Sequence, residues 1–462
     1  MNINNKNDQI GALNSDLLNE LLDKYSKESN IKKWDLGASS SRDTSVQVQQ
    51  GQAKQLKGSQ RNSMTIRVWN YDNKVGITST SDLTNEGIKK AVKGAIDASA
   101  FGNAKESPEF SKLAKAPLKH KTTKIYNNHG IDELLNILKS AEKRLLNTHQ
   151  SIDSVPYNGL NESYMERLYI NSEGANRYMQ LSQSSIYLYA KAEEENKKPR
   201  SAGSIRINSN LKELDIESCI TETSTKLISH LNYKPILTKK YLVCFTPEAF
   251  LQIINAFSSM FNARSIIDGL SLMNEDSIGE KIAVGSLNIS DEGLHPKNIG
   301  AFSFDGEGTP TQNINLIKEG ILINLLHSEA TARKYGVNPT GHAGLGAKVS
   351  VSPDWLVISK CKDTKDKNEN LSVKTNLGEY ILIDELSALH SGVKASQGSF
   401  SLPFDGWIVN NGKKTSIEAA TVAGDILTLL KSIVKIDQEQ IVTHQGISPH
   451  VWVENISITG EA

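Results

Sequence analysis

The sequence predicts an α+β protein: an N-terminal mixed α/β domain of two helix-strands-helix units, then a C-terminal, mostly antiparallel β domain. Three observations carry that expectation. Before residue 236 the hydrophobic period changes between 3.6 and 2 in the same order twice. From Lys239 onward, glycine-separated stretches of alternating character dominate. The 462 residues also exceed the roughly 250–300 at which a single core stops growing. Two large domains follow, 14–236 and 239–462, the first divided into units at about 14–110 and 124–236.

Leu17, Leu18, Leu21, Leu22 and Tyr25 recur at helical spacing, with Ser15 or Asp16 available as a cap. Alternation in "TSVQVQQGQAKQL" and "SMTIRVWNYDNKVGITST" then predicts strands, with a hairpin turn at Tyr71 to Lys74, before "TNEGIKKAVKGAIDASA" returns to the helical period. Beyond the lysine-rich link at 111–124, a helix over 131–148, a strand hairpin over 164–192 and a helix over 210–231 repeat the plan. An ancient duplication and the ordinary recurrence of helix and sheet layers both account for it.

In the second half, "CFTPEAFLQIINAFSSMF" (Cys244 to Phe261) reads as a strand running into a helix capped by Thr246, with Pro247 at its first position and Glu248 at the positive end of its dipole. Phe250, Ile254, Phe257 and Phe261 form one apolar stripe, leaving Gln252, Asn255, Ser258 and Ser259 on the other side. Hairpins are expected around Glu319-Gly320 and Asn411-Gly412, strands at "DWLVISK", "GEYILIDEL" and "WVENISITG", and a late helix over Asp425 to Ile433.

Composition excludes several function classes. Lys+Arg and Asp+Glu are equal at 52 each, so no net field gathers nucleic acid or anionic lipid. Three scattered cysteines offer neither a disulfide framework nor a thiolate metal site. The start lacks the apolar core of a signal peptide, and no run approaches the about 20 apolar residues of a span. The expectation is a soluble cytoplasmic protein with no nucleic-acid or membrane partner, its first dozen residues a loose tail.

A hydrolytic zinc site commonly sets two histidines on one helix beside a glutamate. Here no histidine precedes a glutamate, and none lies between His230 and His295. His295, His327, His342 and His390 are the material for a site assembled from distant residues, or else core and loop histidines. No nucleophile elbow or phosphate loop is present, and "GHAGLG" has its glycines in the wrong order for a dinucleotide fingerprint. Two loops remain. "FDGEGTPT" (Phe304 to Thr311) offers backbone N–H groups and hydroxyls to a peptide main chain; in the simpler reading its glycines only turn the chain and Asp305 and Glu307 are solvated. "NPTGHAGLG" is similar, with His342 either a contact or a loop-fixing hydrogen bonder. The candidate peptide-contacting residues are Phe304, Asp305, Glu307, Gly308, Thr309, His342 and Ser399.

The run "GEGTPTQNINLIKEGILINLLHSEATARKYGVNPTGHAG", preceded by a strand, Pro-Glu and an apolar helix, and followed by "GSFSLPFDGWIVNNGK" and "EAATVAGDILTLLKSIV", resembles the C-terminal domain of the TldD/PmbA family. The N-terminal half shares that family's order. The resemblance implies a two-part peptidase, in which one branch, TldD, carries His-Glu-x-x-x-His on the helix after the first C-terminal strand. Here those positions fall on Pro247, Glu248 and Gln252, so the likeness is to the other branch, PmbA or TldE. It implies no metal, cofactor or catalytic residue on this chain, a zinc-like metal on a TldD-like partner subunit, a peptide substrate, and a heterodimer, with a homodimer as the alternative association. Two other functions stay open: an independent peptidase with an unrecognised site, and a regulatory protein of the kind suggested by the family's label as a modulator of DNA gyrase.

Overall fold

The computed structural model describes residues 13–29, 31–104, 108–119, 125–126, 129–344, 346, 348–361 and 378–461. The first dozen residues, expected as a tail, and the end of the 111–124 link lie outside them. Helix α1 (Ser15–Glu28) is capped by Asn14, whose side chain accepts from the N–H of Asp16 and Leu17. The cap therefore sits one residue ahead of the expected Ser15 or Asp16.

Six antiparallel strands follow: β1 (Ile31–Gln49), β2 (Gln52–Asn70), β3 (Val75–Thr80), β4 (Ile152–Asn171), β5 (Asn176–Ala192) and β6 (Arg200–Asn208). They make one sheet, ordered β3-β2-β1-β4-β5-β6. The two units are thus joined edge to edge by β1 and β4, from Asp35↔Asn171 to Val46↔Leu160. Gln50 and Gly51, both with positive φ, turn β1 into β2, a conformation that matches strand twist. Tyr71 to Lys74 makes the expected turn into β3.

Helices α2 (Asn85–Ser99), α3 (Ile131–Leu146) and α4 (Ile216–Ser229) cover one face of the sheet with α1. Their apolar stripes bury even-numbered residues of β4 and β5, such as Leu160, Leu168, Ile186 and Leu188. The odd-numbered residues consequently face the C-terminal half. Two details differ from expectation. The 210–231 stretch breaks into a single 3-10 turn, Leu211–Glu213, and α4, because Asp215 caps α4 afresh through the Ser218 N–H. Strand β6 was not foreseen, its Ser- and Gly-rich sequence having weak strand propensity.

The C-terminal half opens with β7 (Tyr233–Lys234), β8 (Lys239–Phe245) and α5 (Pro247–Ala256). Here Ser399–Asn410 pairs through its first residues with Ala420–Asp425 and through its last with Glu379–Leu386, closing a ring with β8 and Val451–Gly460. A second sheet contains Leu287–Glu292, Asn313–Lys318 and Leu356–Lys360. Between the sheets lies the largest apolar core, in which Phe250, Ile254, Phe257 and Phe261 are completely buried. Ala249, Leu251 and Ile253 are buried as well, so α5 is enclosed on most sides rather than along one stripe. The turns at Glu319-Gly320 and Asn411-Gly412 have positive φ, as those hairpins require.

Candidate active site

Between the helix-free face of the N-terminal sheet and the C-terminal half lies a cavity of about 1390 Å³. Its walls draw on β5, β6 and α4, the start of α5, the segments 296–305 and 341–344, and the loop 441–444.

The start of α5 is fixed from both sides. The Thr246 hydroxyl accepts from the Ala249 N–H and donates to Asp384 O, while its N–H donates to Ile383 O. Glu248 then faces the cavity. Burial, with Asp384 and Glu222 adding repulsion against the pull of Lys226, pushes its carboxyl up to about 6. Gln445 Nε2 donates to Glu248 Oε1 at 2.7 Å, and His444 Nδ1 stands 3.6 Å from the same oxygen. Burial lowers the pKa of His444.

A catalytic metal does not fit these residues. Pro247 offers no donor, and the Gln252 side-chain oxygen is occupied by the Leu386 N–H at 2.8 Å. Among the described residues, no group of three or more His, Cys, Asp or Glu side chains is placed to hold a metal ion.

The two glycine loops meet through Asp305. One carboxylate oxygen accepts from the N–H of Glu307 and Thr309, and the other accepts from Ala343 in the neighbouring loop, at 2.9 to 3.0 Å. Asp305 and Glu307 are each only 3% exposed, which corrects the expectation of solvated carboxylates. Burial and the charge of Glu307 raise the Asp305 pKa. Glu307 points away from the cavity: one oxygen accepts from the Glu329 N–H, and the other is 3.6 Å from Arg67 of β2. Arg67 is itself paired with Asp35, whose carboxylate also accepts from the Tyr169 hydroxyl.

The Thr340 hydroxyl donates to His327 O, so Nδ1 of His342 donates to that hydroxyl, at 3.0 Å. The other ring nitrogen stands 3.4 Å from Asp291. Burial opposes protonation of His342, but Asp291, Asp354 and Asp305 together raise its pKa. Asp354 is open to the cavity yet surrounded by protein, and burial drives its carboxyl up to about 6.

Of the seven candidate residues, Phe304, Asp305 and His342 reach the cavity wall. Gly308 is covered by the Tyr169 ring, and Thr309 is fully buried with its hydroxyl on Ser111. Ser399 pairs with Lys394 and Asp425 in its sheet, outside the cavity lining. Sequence reasoning missed the wall supplied by the first half: Arg167, whose guanidinium donates to Phe304 O and lies 3.8 Å over the Phe302 ring, Tyr187 and Tyr189 on β5, and Glu222 and Lys226 on α4. Two tyrosines spaced by two on an alternating strand were the one local signal.

Three family models match: PmbA/TldA metallopeptidase domain 1 over residues 34–99, the central domain over 126–231 and the C-terminal domain over 238–460. The metalloprotease PmbA of Escherichia coli O157:H7 is 22% identical over 422 residues, 90% of each chain. A Thermotoga maritima structure named for modulation of a DNA gyrase superposes with a TM-score of 0.83 at 24% identity, covering 96% of this chain and 100% of its own. TldE from Thermococcus kodakarensis superposes at 0.81 with 19% identity, again over 96% and 100%. With those models accounting for most of its length, the chain belongs to the PmbA/TldD metallopeptidase family.

Proposed function

We propose that this chain is the subunit without a metal of its own in a two-chain cytoplasmic metallopeptidase, and that it walls a chamber in which an extended peptide passes the metal of a TldD-like partner. One observation carries the reading. A cavity large enough for several residues of peptide is retained, while the helix that faces it starts Pro247-Glu248 and commits Gln252 to the Leu386 backbone. Without a metal-bound water beside it, the Glu248 carboxylate has no activated nucleophile to deprotonate. An enclosed chamber gives such a subunit a role, because it limits substrates to unfolded chains and surrounds them with fixed polar groups.

Purified alone, the chain is expected to leave unfolded peptides intact with or without added zinc. Mixed with a TldD-like chain carrying His-Glu-x-x-x-His, it should form a stable complex with chelator-sensitive cleavage. Zinc-dependent cleavage by the lone chain, abolished by Glu248→Gln, would overturn the proposal.

A further inference from the structure

The cavity face of the N-terminal sheet carries tyrosines that contribute nothing to a core. Tyr187 and Tyr189 alternate with Leu188, which is buried under the helices, so both rings point to the cavity side. Each lies beside a glycine on a neighbouring strand. Gly159 pairs with Tyr187, and a Cβ there would sit 2.4 Å from the ring; Gly203 pairs with Tyr189, and a Cβ there would sit 2.6 Å from that ring. The missing side chains let the rings lie down across β4 and β6. Tyr157, opposite Tyr189, meets it edge-on at 6.1 Å, and Gln47 Nε2 donates to the Tyr187 hydroxyl at 3.0 Å. The result is an aromatic shelf with accessible ring surface, Tyr187 being 36% exposed and Tyr157 66%.

Carboxylates crowd the same region. Lys226 lies between Glu222 at 3.0 Å and Asp384 at 3.2 Å, and Arg206 pairs with Glu222. Those cations are therefore used up. Among the described residues, no lysine or arginine stands within ion-pair distance of Glu248 or Glu385, both of which line the cavity. Glu385 is open to the cavity, and burial, with Asp405, Asp384 and Glu248 adding repulsion against the pull of Lys226, raises its pKa. Tyr187, Tyr189, Glu248 and Glu385 line the same cavity, and burial first, then Asp405 and Glu385 against the pull of Arg200, raises the pKa of the Tyr189 hydroxyl.

Resting on the chamber reading, we propose that the cavity selects peptide segments bearing lysine or arginine, the cationic head lying on the Tyr187–Tyr189 shelf and facing Glu248 and Glu385. Ring faces attract cations, guanidinium above all, and two carboxylates with no lysine or arginine at ion-pair distance complete the complementarity.

The test uses the full chain and two dye-labelled unfolded peptides identical except at one central position, arginine in one and the neutral isostere citrulline in the other. Fluorescence anisotropy at low salt should show about tenfold tighter binding of the arginine peptide, a preference reduced at high salt. Tyr189→Leu and Glu385→Gln should each shrink that ratio by weakening binding of the arginine peptide more than that of the citrulline peptide. Equal affinities for the two peptides, or a ratio unmoved by both variants, would overturn the selectivity and leave the chamber standing. Failure to bind either peptide would overturn both.

Discussion

At the residue scale, two positions show how the fold constrains single side chains. Gly308 has φ of +75°, and a Cβ there would lie 2.3 Å from the Tyr169 ring. Gly308→Ala is expected to cost roughly 2–4 kcal/mol from left-handed strain and overpacking together, read as a lower urea midpoint at unchanged slope. His230 stacks on Trp407 at 4.8 Å and shares a hydrogen bond with Ser416. Burial first, then Arg200 and Lys226, hold its pKa down at about 4 against an ordinary 6.5. The folded value is depressed, so as pH falls below 6.5 the unfolded chain takes up the proton first. Stability should be unaffected by this group above pH 6.5 and decline by up to roughly 3 kcal/mol between 6.5 and 4. Replacing it in His230→Gln should flatten that limb of a denaturation-midpoint profile. The candidate loops were legible at this scale because glycine clusters mark them. The burial of Asp305 was not, since its three N–H donors come from its own turn and from Ala343, 38 residues away.

At the scale of elements, α5 shows what the sequence carries and what it omits. Its cap, its first-turn proline and its apolar positions are all local signals, and the helix begins where they place it. The use of Gln252 is not local: its side chain closes the Leu386 N–H at the end of Glu379–Leu386, a strand more than a hundred residues later. Gln252→Ala should leave that buried donor unpaired and cost about 1–3 kcal/mol, with faster amide exchange at Leu386 as the local check. The hairpins were equally legible, because Glu319-Gly320 and Asn411-Gly412 need positive φ that few residues accept. The first half of β1 was harder to see. Residues 35–43, "DLGASSSRD", have little strand propensity and are held extended by pairing with β2 on one side and β4 on the other.

At the scale of the molecule, Arg67 helps to lock the two halves, facing Asp35 within its own sheet and Glu307 across the junction. Arg67→Met would leave both carboxylates buried without their cation, at a cost of about 3–5 kcal/mol. Limited proteolysis should then cut the C-terminal loops around Gly306 sooner than in the parent chain. The cavity is a product of this junction, and beyond the spacing of Tyr187 and Tyr189 neither half of the sequence marks its first-half wall, which is why the tyrosine and α4 walls emerged only from the structure. The pairing of β1 with β4 has a mechanical corollary. Because the two N-terminal units form a single slab sewn by twelve residue pairs, hinging of one against the other would break that seam, and any opening that admits a guest falls to the loops on the opposite wall.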